Sequence, residues 1–532
     1  MPDYCVVGSG PAGVACADAL LSAGATVTML DVGISLEEHR RPLVERMSSE
    51  IPEQWTDEDL EAYRTGMKPE VGGVPLKLAF GSDFAYREAV ETLGVAFSDA
   101  GVRPSFALGG LSNVWGAAML PYTNADIDDW PFGPEALESH YAAVLRLTGL
   151  AGTHDALADV FPLYTDRVTE LPVGRQARRL LDTMERRRDR LDSAGIRFGQ
   201  SRLAVRSGDG LGGGCVHCRL CMYGCPYDLI YSSAQTVDHL RKHPSFRYID
   251  GVVVRSVTES SDGVLVSGHR LGSDEVAELR SDRAFLATGA IPTTQILLRS
   301  LGEYDTWVTL KDSQYFLLPL LTRRSRGATS ERTFSLAQLF VELPDPTRPD
   351  RHAHVQLYSN SDLINSAVEE MFGRFGPRMR PILKLIEERL VIAQGFLHSD
   401  SSSTMEVRLR SGPDGRDHLE VRARVDPRAT ASVKRVARAL VRRWRSLGAM
   451  PITPLMTVAE PGRSFHCGGT FPMSNSPGRY ESDLLGRAGG WERVHAVDST
   501  VFPSIPATTI TLSAMANAHR IGTGAAEIDG IA

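Results

Sequence analysis

Apolar positions along the chain follow two different rhythms. In the first, short apolar runs alternate with helical spacing. Asp3 to Val7 reads as a first buried strand, and Ala12 to Ala23 follows with Val14, Ala17, Leu20 and Leu21 at helical spacing and Gly24 as a stop. Thr26 to Leu30 reads as a second strand, ending at Asp31. Ala284 to Ala287 is another short buried strand, followed by Thr288-Gly289-Ala290 and a helix from Pro292 to Ser300. Near the C-terminus Asp498 closes a short apolar strand, Pro503 to Pro506 blocks a helix, and Thr509 to Ile521 then forms one. Strand, turn and helix in this order predict a doubly wound sheet.

The second rhythm is period two. Phe246 to Glu259 alternates as a strand should, and Val264 to Leu271 with Glu275 to Arg280 completes a small antiparallel unit. From about 305 to 460, Ser335 to Leu343, His352 to Tyr358, Leu390 to His398 and Thr404 to Leu409 alternate or run apolar, which predicts an antiparallel sheet carrying a substrate pocket. Met379 to Leu390 reads as a helix, and Ala431 to Leu447 as a strongly basic amphipathic helix whose exposed face is read as solvated in this acidic chain, with a membrane-surface role as the rival reading. Glu37 to Glu61 is charged and helical in pieces, broken near Pro52. Residues 133 to 200 read as helical, with the basic run Arg175 to Arg190 as a solvated face. Nothing repeats internally.

The turn Gly8-Ser9-Gly10-Pro11-Ala12-Gly13 joins the first strand to the first helix. Gly8 permits the turn, Gly10 lets the backbone approach a pyrophosphate, and Gly13 lets helix and strand pack closely. The free N–H groups at the helix start favour phosphate. Asp31 stands where the acid that binds a ribose hydroxyl is expected, and an acid there fits FAD or NAD. Ala287 and Gly289 mark a second strand–glycine–helix junction. Leu108 to Gly116 holds glycines and small polar residues around Trp115, as in a loop lying close to a flat ligand.

The chain has 532 residues and a net charge of −7, which argues against a nucleic-acid partner. No run of 18 apolar residues exists, so no integral membrane segment is expected. With no signal peptide before the first strand, the expected location is the cytoplasm.

Four of the seven cysteines form Cys215-x2-Cys218-x2-Cys221-x3-Cys225-Pro226. This spacing matches the bacterial ferredoxin run, including the proline, and points to an iron–sulfur cluster, 3Fe-4S or 4Fe-4S, with these four as metal ligands. Zinc and a pair of disulfides are the rivals. Two residues between Cys218 and Cys221 suit one tetrahedral ion poorly, and a reducing cytoplasm disfavours disulfides. Cys5 and Cys16 read as core, and Cys467 as core or pocket wall.

Taken together, these segments resemble the glucose–methanol–choline (GMC) flavin oxidoreductases. Gly110 to Gly116 and His466-Cys-Gly-Gly-Thr470-Phe-Pro-Met473 are similar to the sugar-oxidising branch, and Cys221-Met-Tyr-Gly-Cys225-Pro226 to its iron–sulfur segment. The resemblance implies FAD. It places Ser9 to Ala12 on the pyrophosphate, Asp31 on the ribose and the Val253-Val254 backbone at the adenine. Gly110, Ser112, Asn113 and Trp115 would lie near the isoalloxazine ring, and Asp498 near the ribityl–pyrophosphate. His466 matches the catalytic histidine, a suitable base for alcohol oxidation. Where the family has a second His or Asn before the last helix, this chain has Thr509, which can hold an oxygen but is no base near pH 7.

The expected fold class is α/β (α+β overall), a Rossmann-like FAD-binding domain with a second antiparallel-sheet substrate domain. The FAD-binding domain would take 1–150, 206–304 (with the iron–sulfur segment) and 461–532. A helical part of the cap or substrate domain would take 151–205, and the substrate domain 305–460. The expected activity is FAD-dependent oxidation of a hydroxyl of a sugar, cyclitol or similar polyol, with electrons leaving through the cluster to an external or protein acceptor. The alternatives are an oxygen-using oxidase with structural cysteines, an isomerase or epimerase with internal hydride return, and a non-catalytic electron-transfer module.

Overall fold

A computed structural model describes residues 2–66, 76–207, 214–323, 330–365, 380–412 and 417–531. The fold is mixed α/β. Its organising layer is a five-stranded sheet in the order Val494–Ala496, Arg283–Leu286, Asp3–Val7, Thr26–Leu30, Phe246–Ile249, with every neighbour pair parallel. Both faces are covered, so the inner strands carry no polar face: Tyr4, Cys5, Val6, Ala284, Phe285 and Leu286 are fully buried. The helix Pro11–Ser22 packs on this sheet and against the last helix, Thr511–Ile528. A Cβ on Gly522 would stand 3.1 Å from the Cys16 carbonyl oxygen, so the two helices touch backbone to backbone. Cys5 and Cys16 lie in this core.

The run Phe246 to Glu259, read as one strand, is two. Phe246–Ile249 is the edge of the parallel sheet, and Val252–Ser260 belongs to an antiparallel meander with Gly263–Arg270 and Val276–Ser281. The break falls at Gly251, whose φ of +70° is the left-handed conformation glycine tolerates. Alternation runs on through that turn, which hides it from a pattern search.

The single antiparallel sheet expected between 305 and 460 is also two. One has seven strands. Its path runs Ala449–Pro451, Tyr315–Thr322, Leu390–Phe396, His352–Tyr358, Leu339–Pro344, Arg197–Gln200, with Thr457–Val458 also pairing Tyr315–Thr322. One parity of this sheet (Phe316, Leu318, Val341, Val355, Val391 and Ala393 among others) is buried against the helices Arg175–Glu185 and Pro427–Leu447. The opposite parity carries Tyr315, Glu342, His354, Gln356, Tyr358, Gln394 and Phe396. The other sheet joins Cys467–Gly468, Val308–Asp312, Thr404–Ser411, Asp417–Arg424 and Val95–Ser98. Asp417 accepts from Arg299 and Arg255, which ties that sheet to the helix Ala290–Ser300 and to the meander.

Residues 133–200, read as helical, also contain strands at Leu150–Ala151, Val168–Thr169 and Arg197–Gln200. The helix expected from Met379 spans Arg380–Glu387, and Met379 itself lies outside the described residues.

The junction of first strand and first helix leaves no space at Gly13, where a Cβ would stand 2.0 Å from the Gly8 carbonyl oxygen. Gly13→Ala is therefore expected to destabilise the protein by more than ~3 kcal/mol through overpacking against fixed backbone. Thermal unfolding of the variant would measure it, and a wild-type midpoint would contradict the geometry.

Candidate functional site

A cleft of about 220 Å³ lies along the carboxyl ends of the parallel strands. All three strand–turn–helix junctions meet there. Gly8 to Ala12 and Asp31 line it from the first junction, Ala287 to Pro292 from the second, and Asp498, Ser499, Ile510 and Thr511 from the third. Gly110, Leu111, Val253 and Val254 complete the expected part of the wall. The site-facing positions of Gly10 and Gly289 are open: the nearest atom to a Cβ on Gly10 would be 4.0 Å away, and nothing lies within 4 Å of one on Gly289.

Several expected residues instead build the walls. Gly13 packs on Gly8. Ser112 donates to the Gly109 carbonyl, and the Asn113 amide donates to the carbonyls of Leu108 and Gly110, so both hold the loop in shape. The Trp115 indole donates to the Tyr231 carbonyl at 2.8 Å. Asp498 lines the cleft, but its oxygens accept from the Gly289 and Thr500 N–H groups and from Thr293. Its position depends on that capping of the Ala290–Ser300 helix. The segment Val102 to Ala107 also lines the cleft. Nothing in its sequence marks it, because it contributes a coil without a motif.

Asp31 is buried and accepts from Ser9 and, at 3.0 Å, from Tyr248. Burial raises its pKa to about 6, against the pull of those donors. Ser9 in turn accepts from the Gly109 N–H at 2.9 Å, and its carbonyl accepts from the buried Ser233 hydroxyl at 3.0 Å. The first turn, the Gly109 loop and the segment after the cysteines are thereby one hydrogen-bonded unit.

At the junction of the two large sheets stands His466. Its ring stacks on Phe396 (4.8 Å, 24°), and Phe396 stacks in turn on His354 (6.2 Å, 23°). Burial, with the nearby His354, lowers the His466 pKa to about 3. The buried His466 Nδ1 and Thr509 Oγ1 have no hydrogen-bond partner among the described residues. Phe396, on which His466 stacks, shares an apolar cluster with Ala507, two residues before Thr509. Neither His466 nor Thr509 itself lines the cleft, though their chain neighbours Cys467 and Ile510 do. His466 is fixed from behind. Its N–H donates to Ser464 Oγ (2.9 Å), which donates to Asp312 (2.8 Å), while the Ser313 N–H donates to the His466 carbonyl. Cys467, the cross-strand partner of Asp312, is buried and lines the cleft.

The opposite parity of the seven-stranded sheet adds mostly buried polar residues that the sequence reading did not single out. His354 Nδ1 meets Glu342, Gln356 Nε2 lies 3.1 Å from His354 Nε2, and the Tyr358 hydroxyl donates to Gln356 Oε1 at 3.0 Å. The row ends beside the Gly109 loop: a Cβ on Gly116 would stand 3.5 Å from the Tyr358 hydroxyl. The signal was present, since His354, Gln356 and Tyr358 alternate with Ala353, Val355 and Leu357.

Cys215, Cys218, Cys221 and Cys225 are free thiols that line one cavity, with Phe334 and Leu336 among its apolar walls. The backbone N–H groups of Ser335 and Leu229 point at Cys221 Sγ (3.4 Å) and Cys225 Sγ (3.5 Å). His217, Arg219 and Asp228 all have positive φ, uncommon for residues with a side chain, so this loop is held in a strained wrap. Burial, then neighbouring sulfurs, pushes the Cys215 thiol up to about 12 and the Cys225 thiol up to about 11. The Tyr63 hydroxyl, close to these sulfurs, is buried with no partner among the described residues. Among the described residues no three His, Cys, Asp or Glu side chains converge to hold a single metal ion.

No protein-family profile matches the chain, and no curated protein sequence matches it. Among solved structures it is similar to pyridoxine 4-oxidase from Mesorbium loti, with a TM-score of 0.60 over 98% of this chain and 99% of that one, at 14% sequence identity. The likeness is one of fold. It runs end to end, and the expected α/β architecture, a parallel-sheet layer joined to antiparallel sheets, is the one observed.

Buried Asp312 yields a pH prediction. Burial raises its pKa to about 7 from 3.8, so the folded state holds a proton there that the unfolded chain has already lost. Its contribution to stability is present at low pH and is lost as pH rises from about 4 to about 7. Asp312→Asn removes this dependence. The variant is expected to gain up to ~4 kcal/mol relative to wild type between pH 4 and 8. Denaturant unfolding at several pH values would measure the difference, and a flat wild-type-minus-variant difference would refute it.

Proposed function

We propose that the protein is an FAD-dependent oxidoreductase of the GMC type that oxidises a hydroxyl of a sugar, cyclitol or similar polyol to a carbonyl. The carrying observation is two unpartnered buried atoms, His466 Nδ1 and Thr509 Oγ1, whose chain neighbours Cys467 and Ile510 line a cleft built from three nucleotide-type junctions. A buried polar atom left without a partner costs about 1–3 kcal/mol, which a bound hydroxyl would relieve. The neighbour of like fold is named as an oxidase of pyridoxine, which supports oxidation on this architecture.

In this reading the Ser9 to Ala12 turn and the helix behind it take the pyrophosphate. Asp31 takes the ribose, Val253 and Val254 border the adenine, and Gly110 with Asp498 borders the flavin end. FAD, when bound, supplies the acceptor for a hydride from the alcohol carbon. His466 receives the hydroxyl proton. With its pKa lowered to about 3 by burial, its ring is unprotonated at neutral pH. Its basicity rises as negative charge develops on the neighbouring oxygen. Thr509 donates to that oxygen. The Tyr358 hydroxyl gives its proton to Gln356, so its lone pairs remain as an acceptor for a further substrate hydroxyl. A row of such groups favours a substrate with several hydroxyls.

The four cysteines would hold an iron–sulfur cluster, 3Fe-4S or 4Fe-4S, which passes electrons singly to an external or protein acceptor. Their shared cavity and the N–H groups aimed at the sulfurs support this. Trp115 and Tyr231 link the cysteine segment directly to the Gly109 loop, a short route between the two centres. The named activity of the neighbour favours one rival: an oxidase that passes electrons to oxygen and keeps the cysteines as structure.

An absorption spectrum of anaerobically purified protein, with iron and sulfide assays, tests the cofactor assignment. Flavin bands with several irons per chain are expected. Flavin without iron, together with stoichiometric peroxide, would establish the oxidase instead. His466→Ala is expected to lower polyol-dependent reduction of an artificial acceptor by roughly 10²–10⁴-fold at unchanged flavin content. Undiminished turnover would remove His466 from the chemistry. Cys218→Ser is expected to lose both iron and acceptor-coupled turnover, and full turnover without iron would sink the electron route.

A further inference from the structure

The helix Pro427–Leu447 has a purpose that the polyol chemistry leaves unexplained. Its 21 residues make a rod roughly 30 Å long. The inner side is spent on the seven-stranded sheet through Val433, Val436, Ala437, Leu440 and Leu447. The outer side exposes Lys434, Arg435, Arg438, Arg442, Arg443 and Arg445. Arg428 pairs with Asp426 at the helix start, but among the described residues none of these six has a carboxylate partner. The helix contains no acid, while the chain as a whole carries −7. Six unpaired cations on one face of an acidic protein repel one another, and a solvated surface helix would ordinarily interleave acids to relieve this.

Apolar side chains emerge among the cations. Val441 is exposed on this helix between Arg438 and Arg442, and Val425 is exposed two residues before the helix starts. The Arg445 guanidinium lies over the Trp444 ring, 5.4 Å from its centroid. The basic face continues onto the neighbouring helix. Arg186 donates to Thr183 Oγ1, and Thr183 packs 3.2 Å from where a Cβ on Gly448 would stand, at the end of the basic helix.

We propose that this face binds an anionic lipid surface in the plane of the headgroups. Cations attract the phosphates, and Val441 enters the acyl boundary, as on an interfacial helix. No helix among the described residues is long and apolar enough to cross a membrane, so the contact is peripheral. An acidic protein would satisfy the cations too. A helix free of acid along its whole length, with Val441 exposed among its cations, fits a planar layer of headgroups and acyl chains better. The face lies on the side of the sheet opposite His354 and Tyr358, so docking leaves the candidate site open.

Co-sedimentation of the full-length holoenzyme with vesicles tests this. At ~0.1 M salt the protein is expected to bind phosphatidylcholine vesicles containing about one-third phosphatidylglycerol, to ignore pure phosphatidylcholine, and to be released at ~0.5 M salt. The triple variant Arg438→Glu, Arg442→Glu, Arg445→Glu should lose at least about 100-fold in partitioning, at about fivefold per cation removed. The triple Arg→Gln variant at the same positions supplies a milder loss should the reversal impair folding. Val441→Ser should weaken binding several-fold at constant charge. Circular dichroism and flavin content should stay as in wild type. Equal binding to neutral and anionic vesicles, or full binding by the triple variants, would overturn the proposal. Retention on immobilised polyglutamate without any vesicle binding would overturn it in favour of an acidic protein partner.

Discussion

The structure depends on a buried hydroxyl. Ser9 sits in the turn between the first strand and first helix. It gives its proton to Asp31 and receives the Gly109 N–H, while its carbonyl receives Ser233. Ser233 and Ser112 are themselves hydrogen-bonded, so segments more than 200 residues apart in sequence close on one point. Each contact contributes about 1 kcal/mol, but the alternative, several buried donors and acceptors left open, costs far more. The parallel sheet supplies rigid strands, and the serines lock loops onto it. This is why the cleft wall, the loop over it and the cysteine segment hold a fixed relation.

The seven-stranded sheet serves two masters through one rule, that neighbouring side chains on a strand point to opposite faces. Val355 and Leu357 must be apolar to pack on the basic helix, which leaves His354, Gln356 and Tyr358 free to be polar. The rings of His466, Phe396 and His354 then bridge from the neighbouring sheet into this row. The polar row and the packing face are therefore inseparable here: shifting one strand by a residue would exchange one for the other.

What the sequence revealed and what it hid follow from the range of the interactions. The glycine turns were legible because Gly8 and Gly13 answer a local steric demand, and the order of strand, turn and helix around them gave the parallel layer. The cysteine run was legible as a spacing, and the fold brings its four thiols to one cavity. Local pattern did not reveal that Phe246 to Glu259 changes sheets at Gly251, nor that Asp417–Arg424 joins Val95–Ser98, because strand partners are chosen at long range. Ser112 and Asn113 show the same limit. Their place in the motif was plain, but their side chains are consumed by neighbouring carbonyls, which only the folded loop could disclose.

Asp312 shows where the fold accepts a cost for position. It is buried beside His466, one of its oxygens has no partner among the described residues, and burial raises its pKa to about 7. An asparagine or an apolar residue would sit there more cheaply. What the carboxyl secures is Ser464, held between Asp312 and the His466 backbone N–H, with the next strand residue, Ser313, bonded to the His466 carbonyl. The imidazole is thus located through its main chain rather than its ring, whose buried Nδ1 is left without a protein partner. A ring tied down by a side-chain hydrogen bond would be better satisfied and less able to exchange a proton. The cost falls instead on Asp312, across the strand pair from Cys467.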